Sequence, residues 1–225
     1  ADYLAMRLSG RSAPRLTPSM AASLGLFDGT DFDQEAVRRA GLPERLLPEV
    51  SEAAELGGGQ LRVFAALGDN QVSFLGAGQG RLDAPLVNIG TGSQFSFFTK
   101  ERRTVPGLET RPFPGGWLLT GAPLCGGRSF ALLERFFRQT AELVTGTPCP
   151  SAYPAMLRAL EAPVPDDVPQ FRTTFAGTRQ DPMERAVLSG LDEENFAPVP
   201  LLHALLRGMA DELSACYRAA LAAEC

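Results

Sequence analysis

Between residues 61 and 98 short apolar runs alternate with turns rich in glycine, and this alternation limits the fold more than any other feature of the chain. Leu61-Arg-Val-Phe-Ala-Ala-Leu67 reads as a buried strand that ends in Gly68-Asp69-Asn70-Gln71. A helix of small and apolar residues is expected next, over about 70–79. Pro85-Leu-Val-Asn-Ile89 reads as a second strand, ending in Gly90-Thr91-Gly92-Ser93. Gln94-Phe-Ser-Phe-Phe98 alternates as a third, and Trp117-Leu-Leu-Thr120 reads as a fourth. Strands interleaved with helices, with turn chemistry at the strand ends, make an α/β or mixed α+β fold.

The flanks are more helical. A helix over about 2–9 is closed by Gly10, and Asp33 to Gly41 reads as a short helix with acids early, arginines late and a terminal glycine. Leu42 to Val50 holds two prolines and reads as a short helix and connector. Gly57-Gly58-Gly59 is the expected boundary between this first part and the rest. Further helices are expected over 130–141, 153–160 and, longest, 200–223.

Composition removes several functional classes. The net charge is −5 and there is no basic run, so nucleic acid is not an expected partner. The apolar stretches are too short to span a bilayer, and no secretory pattern opens the chain, so a cytoplasmic protein without membrane contact is expected. A single histidine, His203, excludes sites built on two imidazoles, and it reads as a helix-face or partly buried residue. Cys125, Cys149, Cys216 and Cys225 never fall at Cys-x-x-Cys spacing, which argues against structural zinc and a redox dithiol. Lys100, the one lysine, precedes Glu101, so a Walker A loop is absent. The first residues fall inside an amphipathic pattern and the last inside another, so an internal fragment is expected.

Two loops carry chemistry. Asp69, between a buried strand and a helix, reads either as a helix N-cap or as a general base that takes a proton from an attacking hydroxyl. Asp28 and Asp83 are rivals for that role, but neither precedes a helix at a strand end. Asn88-Ile89-Gly90-Thr91-Gly92-Ser93 reads either as a glycine hairpin turn or as an anion cradle of amides and hydroxyls. A base and a phosphate cradle on neighbouring strands are what phosphoryl transfer to an alcohol needs. Trp117 and Phe130, Phe136 and Phe137 read as packing rather than as a sugar platform, and Arg179 with Asp181 as an ion pair. An acyl hydrolase built on Ser93 is a weaker option, with the one histidine far off in sequence.

The run GDNQVSFLGAGQGRLDAPLVNIGTGSQFSF resembles the heart of the FGGY carbohydrate kinases. Cys125-Gly126-Gly127 is similar to that family's next glycine turn, near the nucleotide. Phe175-Ala-Gly-Thr-Arg-Gln-Asp-Pro182 resembles its Gly-x-Arg-x-Pro loop. Leu206-Arg-Gly-Met-Ala-Asp-Glu-Leu213 and Asp2-Tyr-Leu-Ala-Met-Arg-Leu-Ser-Gly10 resemble two of its helices. The order is kept across nearly the whole chain. Ser19 to Phe27, Leu46 to Val50 and Arg81 to Gly90 look most like the sedoheptulokinase-like branch.

The resemblance implies an actin-like ATPase fold of two ribonuclease-H-like lobes, with this chain holding the end of the N-terminal lobe and most of the C-terminal one. Residues 1–59 would then complete a sugar-binding domain and 60–225 would form an incomplete nucleotide-binding domain. It implies a cytoplasmic kinase that uses ATP and Mg²⁺ to phosphorylate a hydroxyl of sedoheptulose or another ketose or polyol, with a homodimer compatible with it. Asp69 would be the base, with Asn70 and Gln71 at the sugar. Gly90, Thr91, Gly92, Gly126 and Gly127 would lie at the nucleotide. The family's Asp-x-Gly-Thr loop and its glycine-rich adenosine motif are not among these residues, so the piece alone is expected to be inactive. The alternative is a binder of sugar or nucleotide with the same fold and no catalysis.

Overall fold

The computed structural model describes residues 1–52, 55–57, 60–179 and 181–224. Gly58 and Gly59 of the expected boundary, Gln180 of the Gly-x-Arg-x-Pro-like loop and Cys225 lie outside them.

Helix α1 (Asp2–Leu8) stops where Gly10 takes a φ of +71°, a left-handed turn that a side chain resists. Strand β1 (Arg15–Leu16) pairs in parallel with β2 (Glu49–Val50). Between them lie α2 (Pro18–Ala22), with proline in its first turn, and α3 (Gln34–Arg39). Asp33 caps α3 by accepting from Glu35 N and Ala36 N, both at 3.0 Å. Leu16, Ala21, Phe27 and Phe32 bury together as the small core of this part.

The 61–67 run differs from its expected form. Only Val63–Phe64 is strand (β4), paired antiparallel with β3 (Glu55–Gly57) in a ribbon of two strands. Val63 and Ala65 are buried while Phe64 is 49% exposed and Leu61 67%. The run therefore buries alternate residues, and an unbroken apolar string conceals that alternation.

The main sheet holds β5 (Leu86–Ile89), β6 (Ser93–Thr99), β7 (Glu109–Phe113) and β8 (Gly116–Gly121) in the order β5-β6-β8-β7, every pairing antiparallel. Strand β7, which carries Pro112, was not among the expected strands. It is an edge strand, where proline is tolerated. Alternation then assigns the two faces. Phe74 of α4 (Asp69–Gly78) packs with Leu118 and Phe113 on one face. Phe95 and Leu119 face α7 (Pro198–Glu224), against Leu213 and Ala220.

Helices α5 (Gly127–Thr145) and α6 (Tyr153–Ala159) close a third cluster with α7 around Leu133, Met156, Leu202 and Leu205. Phe130 stacks on Tyr153 with centroids 6.0 Å apart. Phe136, expected in the core, is 54% exposed. Strands β9 (Gln170–Arg172) and β10 (Val187–Ser189) pair antiparallel, and β9 lies directly on α7. Among the described residues no helix is long and apolar enough to cross a membrane.

The α7–β9 contact depends on Gly208, because a methyl group there would overlap the Phe171 carbonyl oxygen. Gly208→Ala is therefore expected to destabilise the fold by about 1–3 kcal/mol, read as a lower midpoint in thermal or urea unfolding. An unchanged midpoint would show that β9 does not bear on this helix.

Candidate active site

Asp69 is the first residue of α4 and not its cap. Gly68 holds the capping position in extended backbone, and the Asp69 carboxylate accepts from Asn70 N at 2.7 Å. An anionic side chain in a first helical turn is favoured by the helix dipole. The approach to Asp69 is tied down from the first part of the chain. Thr17 Oγ1 donates to Ala66 O at 2.7 Å, and Gly68 N donates to Ser19 Oγ at 3.2 Å.

The next two residues fasten this turn to the sheet. Asn70 Nδ2 donates to Ser96 Oγ of β6 at 2.9 Å, and Thr120 Oγ1 of β8 lies 3.4 Å from Asn70 Oδ1. Gln71 Nε2 donates to Pro112 O of β7 at 2.9 Å. The structure places Asn70 under the site, 2% exposed, with its amide engaged between strands. Gln71 stands on the cavity wall.

That cavity has a volume of about 640 Å³. Asp69 and Gln71 form one wall, residues of α2 and the 27–29 loop another, and Arg102, Arg111 and Trp117 a third. Trp117, expected to be packing alone, thus faces the cavity. Gly29, at φ +109°, abuts its ring so closely that a methyl group would overlap the indole. The Arg102 guanidinium lies over the same ring, 5.3 Å from the centroid.

Charge is distributed around this space. Asp28 Oδ1 accepts from Thr30 N at 2.7 Å and Asp31 N at 3.0 Å. Those bonds, first that from Asp31, hold its carboxyl below the usual range. Partial burial works to raise Glu109, but Arg111 at 2.6 Å and Arg179 at 2.5 Å outweigh it and lower its carboxyl. Arg179 therefore pairs with Glu109 and not with Asp181, which instead closes a local turn by accepting from Met183 N at 2.9 Å. Asp83 pairs with Arg81 at 3.1 Å, away from the cavity.

The glycine turns form a second centre. Gly90 N donates to Gly92 O within the β5–β6 hairpin, and Gly127 N donates to Gly90 O, both at 2.8 Å. Arg128 N reaches Thr91 O at 3.0 Å. A Cβ on Gly126 would fall 2.7 Å from the Gly92 carbonyl carbon, so the two turns touch only because Gly126 has no side chain. Asp69 and this hairpin are not on neighbouring strands, since β4 and β5 belong to different sheets. The link is Asn70, which meets β6 at Ser96, three residues or roughly 10 Å along the strand from Ser93. Ser93 is buried, and neither its hydroxyl nor His203 Nε2 has a hydrogen-bond partner, so no serine–histidine pair forms. Among the described residues no group of three or more His, Cys, Asp or Glu could hold a metal ion.

No family model matches the chain. Human sedoheptulokinase is 27% identical over 233 residues, spanning 94% of this chain and 48% of that protein. The chain thus spans about half the length of the curated relative it matches. A ligand-bound xylulose kinase from Lactobacillus acidophilus superposes with a TM-score of 0.74 at 22% identity, over 97% of this chain and 46% of that one. Plasmodium falciparum glycerol kinase, solved with ADP, gives a TM-score of 0.73 at 17% identity over 99% and 46%. The chain is similar in sequence, and matched in fold, to the FGGY carbohydrate kinases. The fold and the likeness read from the ordered motifs are both borne out. Sequence reasoning did not assign Gly29, Arg102, Arg111 or Trp117 to the cavity. Their spacing carries no signal, because the 27–29 loop and the sheet meet only in three dimensions.

Cys125 immediately precedes Gly126. Burial, with the Glu212 charge second, pushes its thiol up to about 12. It is expected to stay protonated at pH 8 and to resist iodoacetamide in the folded protein while reacting after denaturation, as mass spectrometry of the labelled peptides would read. Rapid native labelling at pH 8 would contradict the buried placement.

Proposed function

We propose that the protein to which this chain belongs is an ATP-dependent sugar kinase, with Asp69 as the general base. The observation that carries the proposal is a helix-terminal carboxylate on the wall of a polar cavity, braced by Asn70 against the strand that leads to the glycine hairpin. The similarity to human sedoheptulokinase supports a ketose as acceptor.

In this reading Asp69 accepts the proton of the attacking hydroxyl. The hydroxyl oxygen bonds to the γ-phosphorus as the bond to the β–γ bridging oxygen breaks, and ADP leaves with that electron pair. Gly90, Thr91 and Gly92, with Gly126 and Gly127 beside them, offer close backbone approach to the phosphates. Mg²⁺ would neutralise phosphate charge, and a cation held largely by phosphates and water needs no protein cage. Asn70 acts by holding the base in place, and Gln71 is the closer candidate for contact with the sugar. Residues 1–59 would then belong to the sugar-binding lobe and 60–225 to the nucleotide lobe, with the cavity between them.

Asp69→Asn in the whole protein is expected to lower kcat by about 10²- to 10⁴-fold while the affinity for ATP is kept. Turnover within a few-fold of the native value, in a coupled ADP-release assay, would remove Asp69 from the mechanism.

A further inference from the structure

Two charged groups in the cavity have no part in the chemistry proposed for Asp69. Arg103 pairs with Glu101 at 3.0 Å and Arg111 with Glu109 at 2.6 Å. Arg102, between Glu101 and Arg103 in sequence, forms no ion pair among the described residues and spreads over the Trp117 ring. Its guanidinium lies over the indole, near enough to Asp28 for its charge to help lower that carboxyl. Asp28, on the opposite loop, spends Oδ1 on two backbone amides and stays ionised, so it can only accept. Both line the cavity that contains Asp69.

Their place along the sheet matters. Trp117 is three residues from Thr120 on β8, and Thr120 faces Asn70, the neighbour of Asp69. The Trp117 end is therefore roughly 10 Å from the row that anchors the base. An extended polyhydroxy chain with one hydroxyl at Asp69 would present its far hydroxyls there. A fixed acceptor and a fixed donor flanking an aromatic face suit alternating hydroxyls and C–H groups. Asp28, Asp69 and Glu109 outnumber Arg102 and Arg111 on the lining, so a neutral chain suits the space better than an anionic one.

We propose that Arg102 and Asp28 grip the end of the acceptor remote from the reacting hydroxyl, and so select for long neutral polyols over short ones. The inference rests on the kinase reading. Loss of one charge-assisted contact is expected to weaken binding by about 10- to 100-fold.

The test is calorimetric titration of the whole protein with sedoheptulose, xylulose and glycerol, without nucleotide, alongside steady-state kinetics. Arg102→Ala and Asp28→Asn should each weaken sedoheptulose by that factor, leave glycerol and ATP affinity unchanged, and keep kcat within a few-fold. Asp28→Asn retains its turn-closing oxygen and so controls for folding. Unchanged sedoheptulose affinity, or an equal loss for glycerol, overturns the grip. Native protein that binds none of the three sugars overturns the kinase reading instead, and Asp69→Asn tests the base separately.

Discussion

The buried amide of Asn70 is the constraint on which the rest of the site depends. A primary amide at 2% exposure is costly unless both ends are satisfied, and here β6 takes one end and β8 the other. That pair of bonds sets the first turn of α4 on the sheet, and the turn carries Asp69. Gln71 extends the same fastening to the edge strand β7. A carboxylate on so firmly held a turn can be aimed, where one on a free loop could not.

Glycine makes the remaining approaches possible. Gly29 lets the 27–29 loop lie against Trp117 and so brings the first part of the chain to the sheet. Gly126 lets its turn touch the Gly92 backbone, and Gly208 lets β9 rest on α7. Each is a place where backbone meets backbone or an aromatic ring. The acidic and basic residues there are largely paired, Glu109 with two arginines, while Asp69 and Arg102 remain available.

Much of this was legible before the structure. Strands β5, β6 and β8, helices α5 to α7, the short helix opened by Asp33 and the left-handed Gly10 follow from local chemistry that does not depend on distant residues. The glycine hairpin and the Gly126–Gly127 turn were legible as turns, but not that they touch each other. Residues 61–67 misled because a continuous apolar run hides which alternate side chains are buried. Strand β7 was not legible, and it carries Pro112, which an edge position accommodates. Asp69 stood out by its place before a helix. Arg102, Trp117 and Gly29 had no such mark, since the cavity they line is assembled from loops about 75 to 90 residues apart in the chain.

The central claim is that Asp69 faces the acceptor hydroxyl while the glycine hairpin faces the phosphates. A crystal structure of the whole protein with a ketose and a non-hydrolysable ATP analogue tests it most directly. The account predicts a sugar hydroxyl hydrogen-bonded to the Asp69 carboxylate, with the terminal phosphate in line behind it and against Gly90–Gly92. A sugar bound with Asp69 turned away, or a nucleotide that makes no contact with that hairpin, would contradict it.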